Sequence, residues 1–251
     1  MWMKKDKLVI CSCINDHEVY DVYWKDFELP FTYMCDVTKD TSFDSDGINY
    51  TEQDIRDQMF FEGDIPQTHP WNHQGRNIVW FYAFFRMSLF YLQNPGFKNY
   101  WFMDNDVKIE EPIKFMEGFE NNDADFISYY VFKEKTVQSQ PNIPHIDDRT
   151  TSKDYWFQRF PHSQDILQDT VTEYFGSFFP IVRFSNKMLN ALTTETRMGL
   201  TGYSEGWVPT MVNNLGGKLD TIFNNQGKSD HFNQDEVKVT HKNLNIDWSW
   251  I

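Results

Sequence analysis

Disulfide bonding is the first thing this chain lacks the means for. It has three cysteines, Cys11, Cys13 and Cys35, and an odd, widely separated set does not make the framework that staples a small secreted domain. Cys11 and Cys13 stand without a second pair, a weak metal signal, so all three read as structural thiols of a protein in a reducing compartment. Positive charge is also scarce: 23 Lys and Arg stand against 37 Asp and Glu, a formal net charge of -14. Such a surface repels phosphate backbones and anionic headgroups, which argues against nucleic acid and acidic membranes as partners. No apolar run reaches the roughly 20 residues that span a bilayer. The longest, 78–92, is interrupted by Arg86 and Ser88 and reads as a buried helix. The lysine-bearing start is followed by too short an apolar stretch for the core of a signal peptide. A soluble, cytoplasmic protein without a transmembrane segment is expected. There is no Gly-x-Gly-x-x-Gly, no Gly-x-x-x-x-Gly-Lys-Ser/Thr, no His-Glu-x-x-His and no Gly-x-Ser-x-Gly, so a dinucleotide fingerprint, a P-loop, a zincin helix and a nucleophile elbow are all missing. Internal repeats and low-complexity tracts are absent too.

Aromatic residues, by contrast, are abundant. Phe, Tyr and Trp make up 18% of the chain, and 40% of it is hydrophobic, too apolar for a disordered segment. Rings at this density fill a core, and they also line sugar sites; composition does not separate the two uses. A length of 251 residues suits a single α/β domain with a large core. Residues 8–14 read as a buried first strand, 16–29 as a helix and 31–37 as a second strand, a βαβ unit that points to a mostly parallel, Rossmann-like sheet flanked by helices. Residues 39–75 are polar and read as a long loop, of the kind that is usually functional. Residues 77–92 follow as the long helix, stopped by Asn94-Pro95-Gly96. Strands are expected at 100–103 and 125–132, with a helix opened at Glu110-Glu111-Pro112. Gly176 and Pro180 break the segment 174–184, Ser185 caps a helix through about residue 193, Pro209 suits a first helical position in 202–215, and 218–223 is a last short strand.

The most informative segment is Trp101-Phe102-Met103-Asp104-Asn105-Asp106. An apolar strand delivers two carboxylates at its carboxyl end, where an α/β sheet opens its ligand crevice. Acids two residues apart can share one hard cation, and Mg²⁺ or Mn²⁺ takes a few carboxylates together with substrate phosphates. An ordinary acidic surface turn would read the same way locally. Phosphohydrolases with an aspartyl nucleophile also follow a strand with Asp-x-Asp, but there Thr or Gly commonly comes next and the motif lies near the start. Here Val107-Lys108-Ile109 follows, in mid-chain.

With the opening strand, the long helix, the strand into Asp104-Asn105-Asp106 and the later Gly202-Tyr203-Ser204-Glu205-Gly206-Trp207-Val208-Pro209-Thr210, the chain resembles the GT-A glycosyltransferases. It looks most like a branch with a His- and Gly-bearing stretch, here His69-Pro70-Trp71-Asn72-His73-Gln74-Gly75-Arg76, before the long helix. The resemblance implies one GT-A-like domain over 1–251, with a nucleotide-sugar half at 1–107 and an acceptor half at 108–251. It implies transfer of a sugar from a nucleotide-diphosphate donor to a hydroxyl on a glycan or glycolipid-linked saccharide, as in polysaccharide biosynthesis. It implies Mn²⁺ or Mg²⁺ held by Asp106, with Asp104 on metal, ribose or metal-bound water, and a late His, His241 or His231, completing the shell. Glu205 is the candidate general base of an inverting course; its other reading is a helix-start acid. Ser12, Cys13, Asp36 and Asn105 are candidate nucleotide contacts, and Arg76 a phosphate or base contact or a plain surface residue. Trp156 and Trp207 are candidate sugar stackers or core. Two other functions share these features. A carbohydrate-binding protein without turnover would bind glycan without nucleotide. A sugar nucleotidyltransferase would carry a Gly-rich basic loop after the first strand, where Asn15-Asp16-His17-Glu18 stands instead.

Overall fold

The computed structural model of the chain describes residues 6–13, 21, 23–59, 83–133, 173, 175–198 and 204–241. Arg76 and Trp156 lie outside the described residues, as do the stretch 69–75 and residues 202–203. Strands β1 (Asp6–Cys13), β2 (Thr32–Asp36), β3 (Ile48–Tyr50), β4 (Asn99–Asp104), β6 (Phe126–Lys133), β7 (Phe175–Ser185) and β8 (Leu219–Thr221) form one seven-stranded sheet. Their order is β3-β2-β1-β4-β7-β6-β8. Every neighbouring pair is parallel except the two that involve β7, which runs against both β4 and β6. The fold is therefore the mixed α/β, mostly parallel sheet that the sequence predicts. Because β7 alone is reversed, β1, β2, β4, β6 and β8 all end at the same edge of the sheet.

The period of two along each strand sorts the core into two layers. Val9 and Cys11 of β1, with Tyr100 and Phe102 of β4, face a cluster built on α2 (Ala83–Gln93), α4 (Asn186–Arg197) and α5 (Ser204–Asn214). Leu8 and Ile10, with Trp101 and Met103, face a second cluster that holds Trp24, α3 (Pro112–Glu117) and the segment around Phe223 and Val237. Trp24, Trp101, Phe102, Phe115 and Phe126 are all essentially inaccessible, and burying each such ring contributes roughly 2 kcal/mol. Among the described residues, most of the aromatic rings are thus core.

The region 39–75 is not one loop. It contains β3 and then α1 (Glu52–Met59). The start of α1 is a capping box: Asp54 N–H donates to Thr51 Oγ1 at 3.2 Å, and Thr51 N–H donates to Asp54 Oδ2 at 2.7 Å. An acid in place of the usual Glu or Gln hides this signal in a polar stretch. Nor do Gly176 and Pro180 break the segment that carries them, since β7 runs through both. A Cβ on Gly176 would lie 2.3 Å from Cζ of Phe132 across the pair, so glycine is what lets that ring pass. Pro180 sits where β6 and β7 lose register, between Tyr130↔Phe178 and Ser128↔Val182, a place where no ladder N–H is needed. Ser185 does cap α4, accepting from Met188 N–H at 3.2 Å, and the helix continues to Arg197.

Pro209 is not at the helix start but inside α5, which begins at Ser204. A proline there removes the N–H that would reach the Glu205 carbonyl. That carbonyl accepts instead from Ser177 Oγ of β7 at 3.0 Å, so a cross-element bond replaces the helical one.

Candidate metal centre

β4 ends on Asp104, and the chain turns at once: Val107 N–H donates to the Asp104 carbonyl at 3.1 Å. The turn is held from two sides. Asn105 N–H donates to the Cys11 carbonyl at 3.0 Å, and Trp24 Nε1 donates to the Asn105 carbonyl at 2.8 Å. With its backbone clamped to β1 and to a buried indole, the turn presents Asp106 in a fixed direction. Immediately after it, β5 (Lys108–Ile109) pairs antiparallel with β9 (Val239–Thr240) in the register Lys108↔Thr240. The next residue after Thr240 therefore comes alongside the turn. His241 Nε2 lies 3.0 Å from Asp106 Oδ1, with both side chains at least 95% buried. One ligand atom each from Asp104, Asp106 and His241 falls within 4.8 Å of the others.

These three donors could hold a divalent cation after a small inward adjustment. Bonds of about 2.1 Å in an octahedral shell put neighbouring ligand atoms about 3 Å apart and opposite ones about 4.2 Å apart. Two carboxylates and one imidazole are an oxygen-rich donor set of the kind that takes a divalent cation.

A cation of the protein's own stands beside them. Arg86 reaches from α2, and its Nη2 donates to Asp104 Oδ1 at 2.8 Å, with the two side chains 7% and 18% exposed. Burial pushes the Asp104 carboxyl above the ordinary carboxylate range; the Arg86 guanidinium opposes that, and the Asp106 charge adds to it. Arg86 is the functional-site residue that sequence reading passed over. Its signal was present, because an arginine in the middle of an apolar helix has to be paired.

The remaining candidates are distributed as follows. Ser12 and Asp36 are buried, and Cys13 is half-buried and level with Asp36 in the sheet. All three lie at the carboxyl ends of β1 and β2, the same edge as Asp104. Asp36 Oδ1 accepts from the N–H and the hydroxyl of Thr38 at 2.9 and 2.5 Å, a turn-capping role. The Asn105 side chain is buried, with no hydrogen-bond partner for Nδ2 among the described residues. His231 is elsewhere: it contacts Asp220 Oδ2 at 3.3 Å and the Thr221 carbonyl at 3.1 Å, and it packs on Phe119. Trp207 is 1% exposed, inside the first core cluster and against Phe84. It is a packing residue without a face for a sugar, because α5 turns its bulky side inward. Glu205 Oε1 accepts from Phe179 N–H at 3.2 Å, beside the β7 irregularity.

No protein-family model matches the chain, and no curated protein matches it. Among solved structures, it is similar to the galactosyltransferase LgtC in complex with donor and acceptor sugar analogues. The identity is 10% and the TM-score 0.41, over 88% of this chain and 74% of that one. It is also similar to mouse xyloside xylosyltransferase 1 in its apo form, with 10% identity and a TM-score of 0.41, over 87% and 85% of the two chains.

Proposed function

We propose that this protein is a metal-dependent GT-A glycosyltransferase that moves a sugar from a nucleotide-diphosphate donor to a glycan hydroxyl. One observation carries the reading: Asp104, Asp106 and His241 converge at the carboxyl end of a central strand, from segments more than a hundred residues apart. Residues 1–107 would hold the donor, with Ser12, Cys13, Asp36 and Asn105 along the nucleotide edge, and 108–251 the acceptor. Asp104, Asp106 and His241 would hold Mn²⁺ or Mg²⁺. A bound cation supplies neutralisation of the diphosphate charge that develops as the sugar–phosphate bond breaks. Arg86 opposes the upward push of burial on the Asp104 carboxyl and holds its Oδ1. In an inverting course, the acceptor oxygen bonds to the anomeric carbon, the bond to the diphosphate breaks, and Glu205 takes the hydroxyl proton. Buried thiols at Cys11 and Cys35 suit a reducing, cytoplasmic setting.

The test uses the whole chain with a panel of nucleotide-sugars, with and without Mn²⁺. Slow metal-dependent donor hydrolysis is expected, and Asp106→Ala abolishes it. The metal should also protect the fold: at a hundredfold excess over its Kd it adds about 2.7 kcal/mol, several degrees in Tm for a chain of this size. In Asp106→Ala that shift disappears. Normal turnover or an unchanged Mn²⁺ shift in the variant would remove the metal role.

A further inference from the structure

A recess opens beside β6 and β9. It encloses about 330 Å³ between Tyr129, Tyr130, Phe223, Gln234, Lys238 and Thr240. Its walls are aromatic and its rim polar. Tyr129 and Phe223 pack with ring centroids 4.7 Å apart, while Gln234, Lys238 and Thr240 at the mouth are exposed. Consecutive residues of a regular strand point to opposite faces, yet Tyr129 and Tyr130 both belong to the second core cluster. The loss of register between Ser128 and Tyr130 is what turns both rings to one side.

The recess lies near the candidate metal centre without being lined by any of its three residues. β4 and β6 run in the same direction with β7 between them. Met103 is level with Ile181, and Tyr130 with Phe178, so Tyr129 and Tyr130 stand at about the height of Asp104. Two strand spacings separate them, about 10 Å. Phe178 bridges that gap: its ring lies 6.0 Å from Tyr129 and 5.8 Å, edge-on, from His241. Thr240 of the rim is the chain neighbour of His241. A group bound here is thus one saccharide unit away from the donors that would hold the leaving diphosphate.

On the transferase reading above, we propose that this recess binds a hexopyranose ring of the acceptor, the unit next to the one whose hydroxyl is glycosylated. The rings of Tyr129, Tyr130 and Phe223 are more than 90% buried and leave only their edges in the recess, an apolar floor for the C–H groups of a pyranose, and exposed amide, ammonium and hydroxyl groups beside it match its equatorial hydroxyls. The open volume is enough for one ring. The surface is acidic overall, which favours a neutral sugar over a uronic acid.

The experiment is saturation-transfer NMR on the whole chain, with methyl β-D-glucopyranoside and methyl β-D-galactopyranoside as probes, sorbitol as the acyclic control, and EDTA present so that no metal or donor contributes. Transfer to ring protons of at least one glycoside, and none to sorbitol, is expected. Gln234→Trp and Thr240→Trp put bulk at an exposed mouth, so the fold tolerates them, and each should cut the transfer at least fivefold. Tyr130→Ala, checked for an unchanged near-UV spectrum, should do the same. No transfer to either glycoside, equal transfer to sorbitol, or transfer unaffected in both tryptophan variants would overturn the proposal. Failure of the transferase reading is recorded separately, as the absence of metal-dependent donor hydrolysis in the unaltered protein.

Discussion

Arg86 and Asp104 form a buried pair whose members depend on each other. The guanidinium is 7% exposed and the carboxylate 18%, so removing one leaves the other charged in a poorly solvated place. Breaking such pairs costs about 3 kcal/mol or more. Arg86→Leu is therefore expected to lower the urea midpoint by that equivalent, whereas loss of the exposed Lys218–Asp123 pair should leave it nearly unchanged, because solvent screens such pairs. A second expectation concerns the metal. Without Arg86, burial and the Asp106 charge, which raise the Asp104 pKa, are opposed only by His241. Mn²⁺ binding by Arg86→Leu, followed by calorimetry, should weaken most at the acid end of the pH range. Equal affinity at all pH values would show that the arginine does not set the state of Asp104. The pair was half legible from sequence. Asp104 stood out because a hydrophobic strand ran into it, and Arg86 interrupted a hydrophobic helix, but nothing linear said that they meet.

At the scale of elements, the junction of β7 and α5 ties packing to chemistry. β7 loses its register with β6 between Phe178 and Val182, and within that stretch the Phe179 N–H points to Glu205. The Glu205 carboxylate accepts it, and the Glu205 carbonyl, left over by Pro209, accepts from Ser177 Oγ. The loss of register and Pro209 thus create the two needs that one residue and its backbone meet. This gives Glu205 a structural role beside its proposed catalytic one, and substitutions separate them. Glu205→Gln keeps an oxygen for Phe179 N–H but loses the base, so kcat should fall about 10²–10⁴-fold with Tm nearly unchanged. Glu205→Ala also leaves the N–H unmet and should cost about 1–3 kcal/mol more. If Glu205→Gln turns over normally, the residue serves the β7 irregularity alone. Sequence reading placed Pro209 at a helix start and Pro180 at a strand break because proline's missing donor is usually accommodated at ends. Here neighbouring elements supplied the partner, and both elements continue through.

For the molecule as a whole, acid sensitivity follows from the far side of the sheet. Burial works to raise the Asp220 carboxyl, but hydrogen bonds from His231, Asn122 and the Thr221 N–H outweigh it, and the net shift is downward from the ordinary 3.8. A depressed carboxyl favours the folded state while ionised, so its contribution is complete above the unfolded value and is lost as pH falls through the lower folded one. Asp220→Asn should leave a shallower fall of Tm below pH 4, about where that carboxyl begins to titrate in the unfolded chain, with the difference from the unaltered protein shrinking toward strong acid. A parallel offset at every pH would mean that Asp220 acts through packing. What the chain itself determined was the layering: the period of two in β1 and β4 sends Leu8, Ile10, Trp101 and Met103 to one face and Val9, Cys11, Tyr100 and Phe102 to the other, and apolar runs ending in Asp or Asn put polar residues at the sheet edge. These are local rules of burial, and a linear pattern carries them. Which histidine joins the acids was decided by tertiary structure. His231 and His241 are alike as residue types, and only the β5–β9 register brings His241 against Asp106 while His231 packs on Phe119. Strand pairing depends on contacts across a hundred residues, and no periodicity along the chain records it.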